Sequence, residues 1–533
     1  MMAGIHSYAD QSVLASGKWV KIRVSESGVC RMSFDEIRAA GLEPTRLRVF
    51  GYGGAQKEQD FSKRNIDDLP QVPVYIGSSY VLFYVQGPIS WMYNTSNSRF
   101  THTRNTYSDY GYYFLSDNAG SMLAPTEGAA VSGTPTDVDT YVLYKVHDKD
   151  SINLIDRTGV SGGGRTFYGE QFGANQSKNF TFSTPNAITS EQTKIYVDVA
   201  ANASTESYFK ATLNGGTSKS IFIASIPDHY TFGVTGSTSV SGTSTANQQK
   251  VQLQLQNSNA SALGWLNYIE ITTPCSLTMT GDYMPIRTLT NRGSNTPVRF
   301  HLSGASAATQ VWDITNLDAI EKMPVTLSGN EATWVGSQKD GIHEYIAVNT
   351  QGSSFVQATV IGEVSNQNLH ALSNIDYVII CPEGYQEIAA DLARAHQEKE
   401  AITWKVVTDK QVYNEFSSGT PDASAYRWLM KMLYDRANNG QGNKPRWLLL
   451  FGHGSFDNRN LCQTQYGSST SGAKLLLTYQ AENSVNEVNA YASDDYFGWL
   501  DDNEGATDKK AKMDIGVGRL PVVDLEEART TVD

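Results

Sequence analysis

The residues with the clearest chemical potential are a histidine and a cysteine at the ends of two apolar segments. His453 stands between two glycines just after the segment 446–451, and Cys381 ends the segment 377–381. An imidazole on a rigid strand end can act as general acid or base, and a thiolate is a nucleophile. His453 and Cys381 are therefore candidate catalytic residues. The alternative is a turn histidine without a chemical role, which is the commoner state of a histidine at a strand end.

Two acid-rich loops, 493–496 and 501–505, offer oxygen ligands for a cation. Their candidate metal ligands are Asp494, Asp495, Asp501 and Asp502. Several carboxylates at close spacing suit calcium, so a structural calcium ion is the candidate cofactor. The spacing departs from that of an EF-hand loop, and the alternative is a pair of solvated turns. No other cofactor is expected.

Composition narrows the class of protein. The 533 residues carry a net charge of -13, so no basic surface is available for nucleic acid. The charged fraction of 18% and the abundance of Gly and Tyr are typical of an exported, β-rich protein. The four cysteines lack the spacing of a zinc knuckle or a disulfide framework; they are Cys30, Cys275, Cys381 and Cys462.

The elements that must position His453 and Cys381 form an α/β layer. Apolar strands are predicted at 377–381, 404–407, 446–451 and 513–518, with helices up to about residue 400 and over 421–437. Strands that alternate with helices predict a parallel sheet. Such sheets bind ligands outside the carboxyl ends of their strands, which is where both candidates fall.

The remainder of the chain predicts two mainly-β domains before this layer. Residues 1–135 mix short strands with a capping-box helix that starts at Ser33, and residues 136–366 predict a β-sandwich. Residues 367–533 are the α/β subdomain, which we expect to be truncated at its carboxyl end. Composition predicts a loop over 235–247.

Membrane and export signals are judged from apolar runs. No run approaches the 18 residues that a spanning helix needs. The first six residues lack a charged stretch followed by an apolar one. We therefore expect an exported protein whose signal peptide is absent from this chain.

Several segments resemble, in order, the gingipain type of cysteine peptidase, in the form found in sortases of the type IX secretion system. They are, in the α/β part, 368–372, 413–419, 448–459, 493–498 and 514–521, and, upstream, 13–19, 51–54 and 311–315. The resemblance implies that residues from about 370 form the first of two α/β subdomains. It places the family's catalytic His and Cys after the segment 514–521 and implies an acidic residue at the position of His453. By resemblance, no catalytic residue is expected in this chain.

The resemblance also implies a function for the whole protein. It would be a peptidase and transpeptidase on the outer-membrane surface of a Bacteroidota bacterium. It would remove carboxy-terminal signals from secreted cargo and pass the cargo to lipopolysaccharide, alongside other outer-membrane components of type IX secretion. The present chain would then be a scaffold.

Two alternatives remain open from the sequence. The sandwich could recognise glycan or cargo, with Trp91, Trp265 and Trp312 as a stacking platform and the α/β unit as a structural element. Alternatively, His453 with Cys381 could form a complete peptidase by itself, which requires the two side chains to meet.

Overall fold

The computed structural model describes residues 6–156, 162–462, 475–505 and 511–533. The first five residues, on which the signal-peptide expectation partly rests, lie outside this set. No helix in these ranges combines the length and the apolar character needed to cross a membrane. The predicted class is confirmed: mainly-β parts precede an α/β layer with a parallel sheet.

The amino-terminal part is built from short strands and one helix. Ser33 caps this helix, and Glu36 closes the predicted capping box. Strands β1, β9, β3 and β4 form one sheet and β2, β6 and β5 a second, while β7 and β8 form a separate hairpin. The elements are β1 (Trp19–Val24), β2 (Gly28–Ser33), α1 (Phe34–Ala39), β3 (Arg48–Phe50), β4 (Gln71–Val72), β5 (Tyr75–Ile76), β6 (Tyr80–Val85), β7 (Ile89–Asn94), β8 (Arg99–Arg104), β9 (Gly111–Ser116) and β10 (Thr126–Glu127).

Among the described residues, the middle part contains two large hydrophobic cores besides smaller clusters. The first lies between the sheet β12–β20–β15–β18 and the sheet β14–β19–β16–β17, and the second involves β11 and β21 to β27. The strands are β11 (Thr136–Val138), β12 (Thr140–Asp148), β13 (Gln171–Gly173), β14 (Ser177–Thr184), β15 (Gln192–Asn202), β16 (Ser207–Leu213), β17 (Lys219–Ile223), β18 (Val234–Thr243), β19 (Asn247–Gln256), β20 (Leu263–Ser276), β21 (Tyr283–Ile286), β22 (Val298–Ser303), β23 (Thr309–Asp313), β24 (Glu321–Lys322), β25 (Thr326–Ser328), β26 (Glu331–Gly336), β27 (Tyr345–Asn349) and β28 (Thr359–Val364).

The loop predicted over 235–247 is wrong, because most of it is strand β18. This strand pairs along its length with β15, from Ala201 opposite Val234 to Gln192 opposite Thr243. Backbone pairing, not side-chain burial, holds it, since Val240 is its one fully buried apolar residue. A strand that buries so little shows no hydrophobic alternation in its sequence.

The α/β layer is a parallel sheet in the order β30–β29–β31–β32. Ile379 lies opposite Val406 on one side and Leu449 on the other, which places the predicted apolar strands at the centre. The last strand, β32, begins three residues later than predicted. An additional helix, α3, precedes the helix predicted over 421–437. The elements are β29 (Tyr377–Cys381), α2 (Gln386–Glu400), β30 (Trp404–Thr408), α3 (Asp409–Phe416), α4 (Ala423–Asn438), β31 (Trp447–Phe451), β32 (Gly516–Leu520) and α5 (Leu525–Val532).

The amino-terminal part packs directly on α3 and α4. Ser418 accepts hydrogen bonds from the backbone of Tyr52 and Gly53, at 2.9 and 3.2 Å. A Cβ at Gly51 would lie 2.5 Å from the Ser418 hydroxyl, and Gly51 has a φ of +122°. Glycine is therefore required in this turn both by conformation and by the contact it makes.

Strand pairing also links distant parts of the sequence. β28 extends the amino-terminal sheet by pairing with β1, so residues 359–364 join a sheet formed mainly by residues 19–116. The domain boundaries at 135 and 366 stay predictions.

Candidate functional site

The crevice at the carboxyl ends of the parallel strands is the site that the α/β topology predicts. A cavity of about 480 Å³ lies there. Its lining comes from the segment after β31, from the end of β32 and the residue after it, from the segments around 478 and 492–494, and from one residue of the middle part. The lining residues are Gly162, His453, Gly454, Ser455, Phe456, Thr478, Ala492, Ser493, Asp494, Arg519 and Pro521. Of the predicted site residues, His453 and Asp494 meet in this cavity.

His453 is fixed by its backbone. Its N–H donates to the Val522 carbonyl at 2.9 Å, and its carbonyl accepts from Leu475 and Leu476 at 2.9 and 3.0 Å. The side chain is partly exposed toward the cavity. A Cβ at Gly454 would lie 2.3 Å from Cγ2 of Thr478. The glycine after the histidine thus allows two segments of the cavity wall to approach closely.

The segment that follows His453 is held by two polar side chains. Asp457 accepts from the backbone of Leu461 and Cys462, both at 2.8 Å. Asn458 donates to the Thr478 carbonyl at 3.1 Å and accepts from its N–H at 3.2 Å. Sequence reasoning missed both residues, although Asp and Asn commonly satisfy turn backbones.

Arg519 is the central charge of the cavity wall. It pairs with Asp494 through two hydrogen bonds, Nε to Oδ2 and Nη2 to Oδ1, both 2.8 Å. It also donates to the carbonyls of Gly452 and Leu477, each at 3.1 Å. Its guanidinium therefore joins the ends of β31 and β32 to the 477 and 494 segments.

The four aspartates predicted as calcium ligands have different partners. Asp494 is paired with Arg519, Asp501 accepts from Tyr434 at 3.0 Å, and Asp502 forms an ion pair with Lys431. Asp495 is exposed in the short helix that follows residue 494. Asp501 and Asp502 thus both contact α4, whereas Asp494 lies at the strand-end cavity. None of the four joins the three-ligand cluster found among the described residues.

That cluster consists of Asp68, His370 and Glu415, whose ligand atoms lie within 4.8 Å of one another. Both ring nitrogens of His370 face carboxylates: Nδ1 lies 2.7 Å from Glu415, and Nε2 lies 3.1 Å from Asp67. Burial lowers the pKa of His370, but these hydrogen bonds outweigh it and raise the pKa to about 9. A protonated imidazole has no lone pair for a metal, so the geometry favours an ion-pair cluster.

Cys381 lies in the hydrophobic core on the helix α2 side of the sheet. It has no exposed surface, and its Sγ faces the Val407 carbonyl at 3.7 Å. Burial raises the pKa of its thiol to about 12. A thiol in this state is protonated at neutral pH and is a poor nucleophile. His453 lines the cavity beyond the strand ends, whereas Cys381 is absent from the cavity lining.

The tryptophans named for a stacking platform do not form one. Trp265 and Trp312 are buried, with 2% and 1% of their surface exposed. Trp91 packs against Tyr144, with the ring centres 4.3 Å apart and the planes tilted by 31°.

Both the sequence and the structure of the chain were compared with known proteins. Residues 370–533 match peptidase family C25. The crystal structure of dimeric latent PorU from Porphyromonas gingivalis superposes with a TM-score of 0.85 at 32% sequence identity, over 98% of this chain and 50% of that one. The chain therefore spans about half the length of that relative. The comparison with curated proteins found no match.

Other solved structures share little with the whole chain. A CBM35 from Cellvibrio japonicus Abf62 matches at 13% identity and a TM-score of 0.18, over 24% of this chain and 91% of its own. The delta-endotoxin Cry8Ea1 from Bacillus thuringiensis matches at 10% identity and a TM-score of 0.19, over 48% and 54%.

Proposed function

The chain belongs to the gingipain-type cysteine peptidases as a PorU-type protein, and from this premise we propose that it is the amino-terminal part of a cell-surface peptidase of type IX secretion. In this proposal it supports a catalytic subdomain and carries no catalytic cysteine of its own. His453 and Arg519 then shape the crevice at the strand ends, where the supporting subdomain borders its catalytic neighbour.

The observation that carries the scaffold role is the state of the thiols. All four cysteines of the chain are buried and free. Burial raises the pKa of Cys275 to about 11 and those of Cys381 and Cys462 to about 12, and it raises that of Cys30 further. Peptidase chemistry of this type requires an accessible thiolate. The burial of all four thiols therefore supports the proposed scaffold role.

The proposed activity of the whole protein is peptide cleavage followed by transfer. A cysteine thiolate attacks the carbonyl before the carboxy-terminal signal of the cargo, a thioester forms, and the signal leaves with a protonated amine. An amine on lipopolysaccharide then attacks the thioester, forms an amide and releases the thiol. The partners are secreted cargo, lipopolysaccharide and other outer-membrane components of type IX secretion, and the place is the outer-membrane surface of a Bacteroidota bacterium.

The test is to incubate the 533-residue chain with a cargo peptide that contains a carboxy-terminal signal and with a thiol-reactive fluorophore. We expect no cleavage and no labelling of the folded chain, and labelling of four thiols after unfolding in guanidinium. Specific cleavage that disappears in His453→Ala or Cys381→Ala, but persists in the surface variant His301→Ala, would overturn the scaffold role.

A further inference from the structure

A second groove, which shares no lining residue with the strand-end cavity, lies on the outer face of the sheet β12–β20–β15–β18. The hairpin β7–β8 packs over the β12 and β20 side of this face, where Phe100 contacts Tyr144 with ring centres 4.8 Å apart. A groove of about 430 Å³ remains between the hairpin tip and strands β15 and β18. Both walls are formed by described residues of regular strands and one tight turn.

The groove presents hydroxyl and amide groups from both walls above an apolar floor. The polar groups come from the hairpin tip and from the sheet: Asn97, Ser98, Gln192, Ser239, Ser241 and Thr272. Val142, Pro274 and Leu289 contribute apolar surface. Groups that both donate and accept hydrogen bonds, spread along a shallow apolar surface, are complementary to a polyhydroxylated ligand.

A cation lies between the two walls. The guanidinium of Arg99 stacks on Tyr196, with Cζ 3.4 Å from the ring centre. Within the described part of the chain its Nη1 is buried and makes no hydrogen bond. Its Nε faces Oε2 of Glu270 at 3.4 Å. A buried guanidinium nitrogen without a hydrogen bond is costly, which indicates an absent acceptor.

Glu270 is shared between this guanidinium and a second cationic side chain, that of His102. Oε1 of Glu270 lies 2.7 Å from Nδ1 of His102 and accepts the His102 backbone N–H at 2.9 Å. Nε2 of the same ring lies 3.1 Å from Asp148, so the imidazole is held between two carboxylates. Lys194 adds an exposed ammonium on the sheet wall. The lining thus carries two cationic side chains, Arg99 and Lys194, and one carboxylate, Glu270, in a chain of net charge -13.

We propose that this hairpin-tip groove binds a saccharide that carries an acidic group, with the acid on Arg99 and Lys194 and the sugar hydroxyls on the serine, threonine and amide side chains. A peptide fits less well. The backbone of β15 is paired with β18 on one side and β20 on the other, so β15 offers no free edge to an extended peptide. The proposal is independent of the peptidase proposal above.

The test is calorimetric titration of the full chain with four probes. Trigalacturonic acid and glucose 6-phosphate carry a carboxylate and a phosphate, maltotriose is neutral, and triglutamate is an acidic peptide. We expect at least one of the two acidic saccharides to bind, with an affinity that falls as the salt concentration rises. The tighter binder shows whether the groove prefers a carboxylate or a phosphate. No binding of either, or equal binding of maltotriose or triglutamate, would overturn the proposal.

Variants connect the binding to the groove. Arg99→Gln should lower the affinity for the acidic saccharide about tenfold, because it removes a charge-assisted hydrogen bond. Lys194→Gln changes an exposed residue and should fold even if Arg99→Gln does not. We expect it to lower the affinity for the acidic saccharide severalfold. The matched control is Lys250→Gln, an exposed lysine on β19 of the opposite sheet. An equal loss in the control, or no loss in Lys194→Gln, would contradict the assignment.

Discussion

Nδ1 of His370 lies 2.7 Å from Oε2 of Glu415, and both side chains are fully buried. Glu415, on α3, also accepts the backbone N–H groups of Leu369 and His370 at 2.7 and 2.9 Å. The other ring nitrogen of His370 faces Asp67 of the amino-terminal part at 3.1 Å. An imidazolium therefore joins the amino-terminal part to the α/β layer.

Replacing His370 by glutamine should destabilise the chain. The substitution removes the charge between Glu415 and Asp67, and losing one partner of a buried ion pair costs about 3 kcal/mol. Urea unfolding measures the change in unfolding free energy. The control is His301→Gln, whose pairs with Asp137 and Glu331 are partly exposed to solvent, so its cost should stay below about 1 kcal/mol. Equal effects would contradict the role of His370.

The stabilisation by His370 should depend on pH. Its pKa is about 9 in the folded chain, against about 6.5 for an unperturbed histidine. A raised folded-state pKa means that the contribution is full below about pH 6.5 and is lost as the pH rises through 9. The difference in unfolding free energy between the parent and His370→Gln should therefore fall by about 2–3 kcal/mol across this window.

The parent chain must be compared with His370→Gln, because the titration of other groups changes stability in the opposite direction. Burial lowers the pKa of Lys21 and of Lys57 to about 7. A lysine with a lowered pKa favours the folded state more as the pH rises above 7. The total unfolding free energy thus combines pH dependences of opposite sign. The contributions of the two lysines cancel in the difference between the parent and His370→Gln. A difference that is constant between pH 6.5 and 9.5 would contradict a charged His370.

Much of the α/β layer follows from the sequence, because buried parallel strands are continuous apolar runs. The strand that ends at Cys381 was predicted with its observed bounds. Helix α3 was missed because its burial depends on residues distant in sequence: Lys21 of the amino-terminal part donates to Asn414, and Glu415 is enclosed by contacts with residues 367–370. The hydrophobic periodicity of a sequence does not reveal a helix face whose polar residues are buried only by tertiary contacts.

The site was only partly predictable for the same reason. The position of His453 at a strand end follows from strand order, and the structure places it in the cavity. The separation of the aspartates does not follow, since it depends on partners distant in sequence: Arg519 for Asp494, Tyr434 for Asp501 and Lys431 for Asp502. Clustering in sequence predicted a shared cation, and this stays a prediction; the partners of Asp494, Asp501 and Asp502 each lie 25 or more positions away.

Arg519 should be important for the stability of the strand-end cavity. Arg519→Ala removes two bonds to Asp494 and two to backbone carbonyls in a side chain that is 13% exposed. We expect a loss of about 2 kcal/mol in urea unfolding. Arg519→Lys keeps the charge but loses the paired geometry, so it should be intermediate. Arg38→Ala, which breaks an exposed pair with Asp35, should change stability by about 0.5 kcal/mol or less.

Gly454 provides the sharpest test of the cavity wall. Gly454→Ala places a methyl group where a Cβ would lie 2.3 Å from Cγ2 of Thr478, so the wall must open and the chain should lose about 1–3 kcal/mol of unfolding free energy. Thr478→Ser removes that Cγ2 and keeps the hydroxyl that donates to the Ser455 carbonyl at 2.8 Å. The double variant should therefore recover most of the loss, which is a coupling that additive effects cannot produce. Gly518→Ala on β32 is the control, since its Cβ would meet Leu449 at an ordinary 3.8 Å and stability should change little. A double variant no more stable than Gly454→Ala alone would show that the close approach of Gly454 and Thr478 does not set this part of the wall.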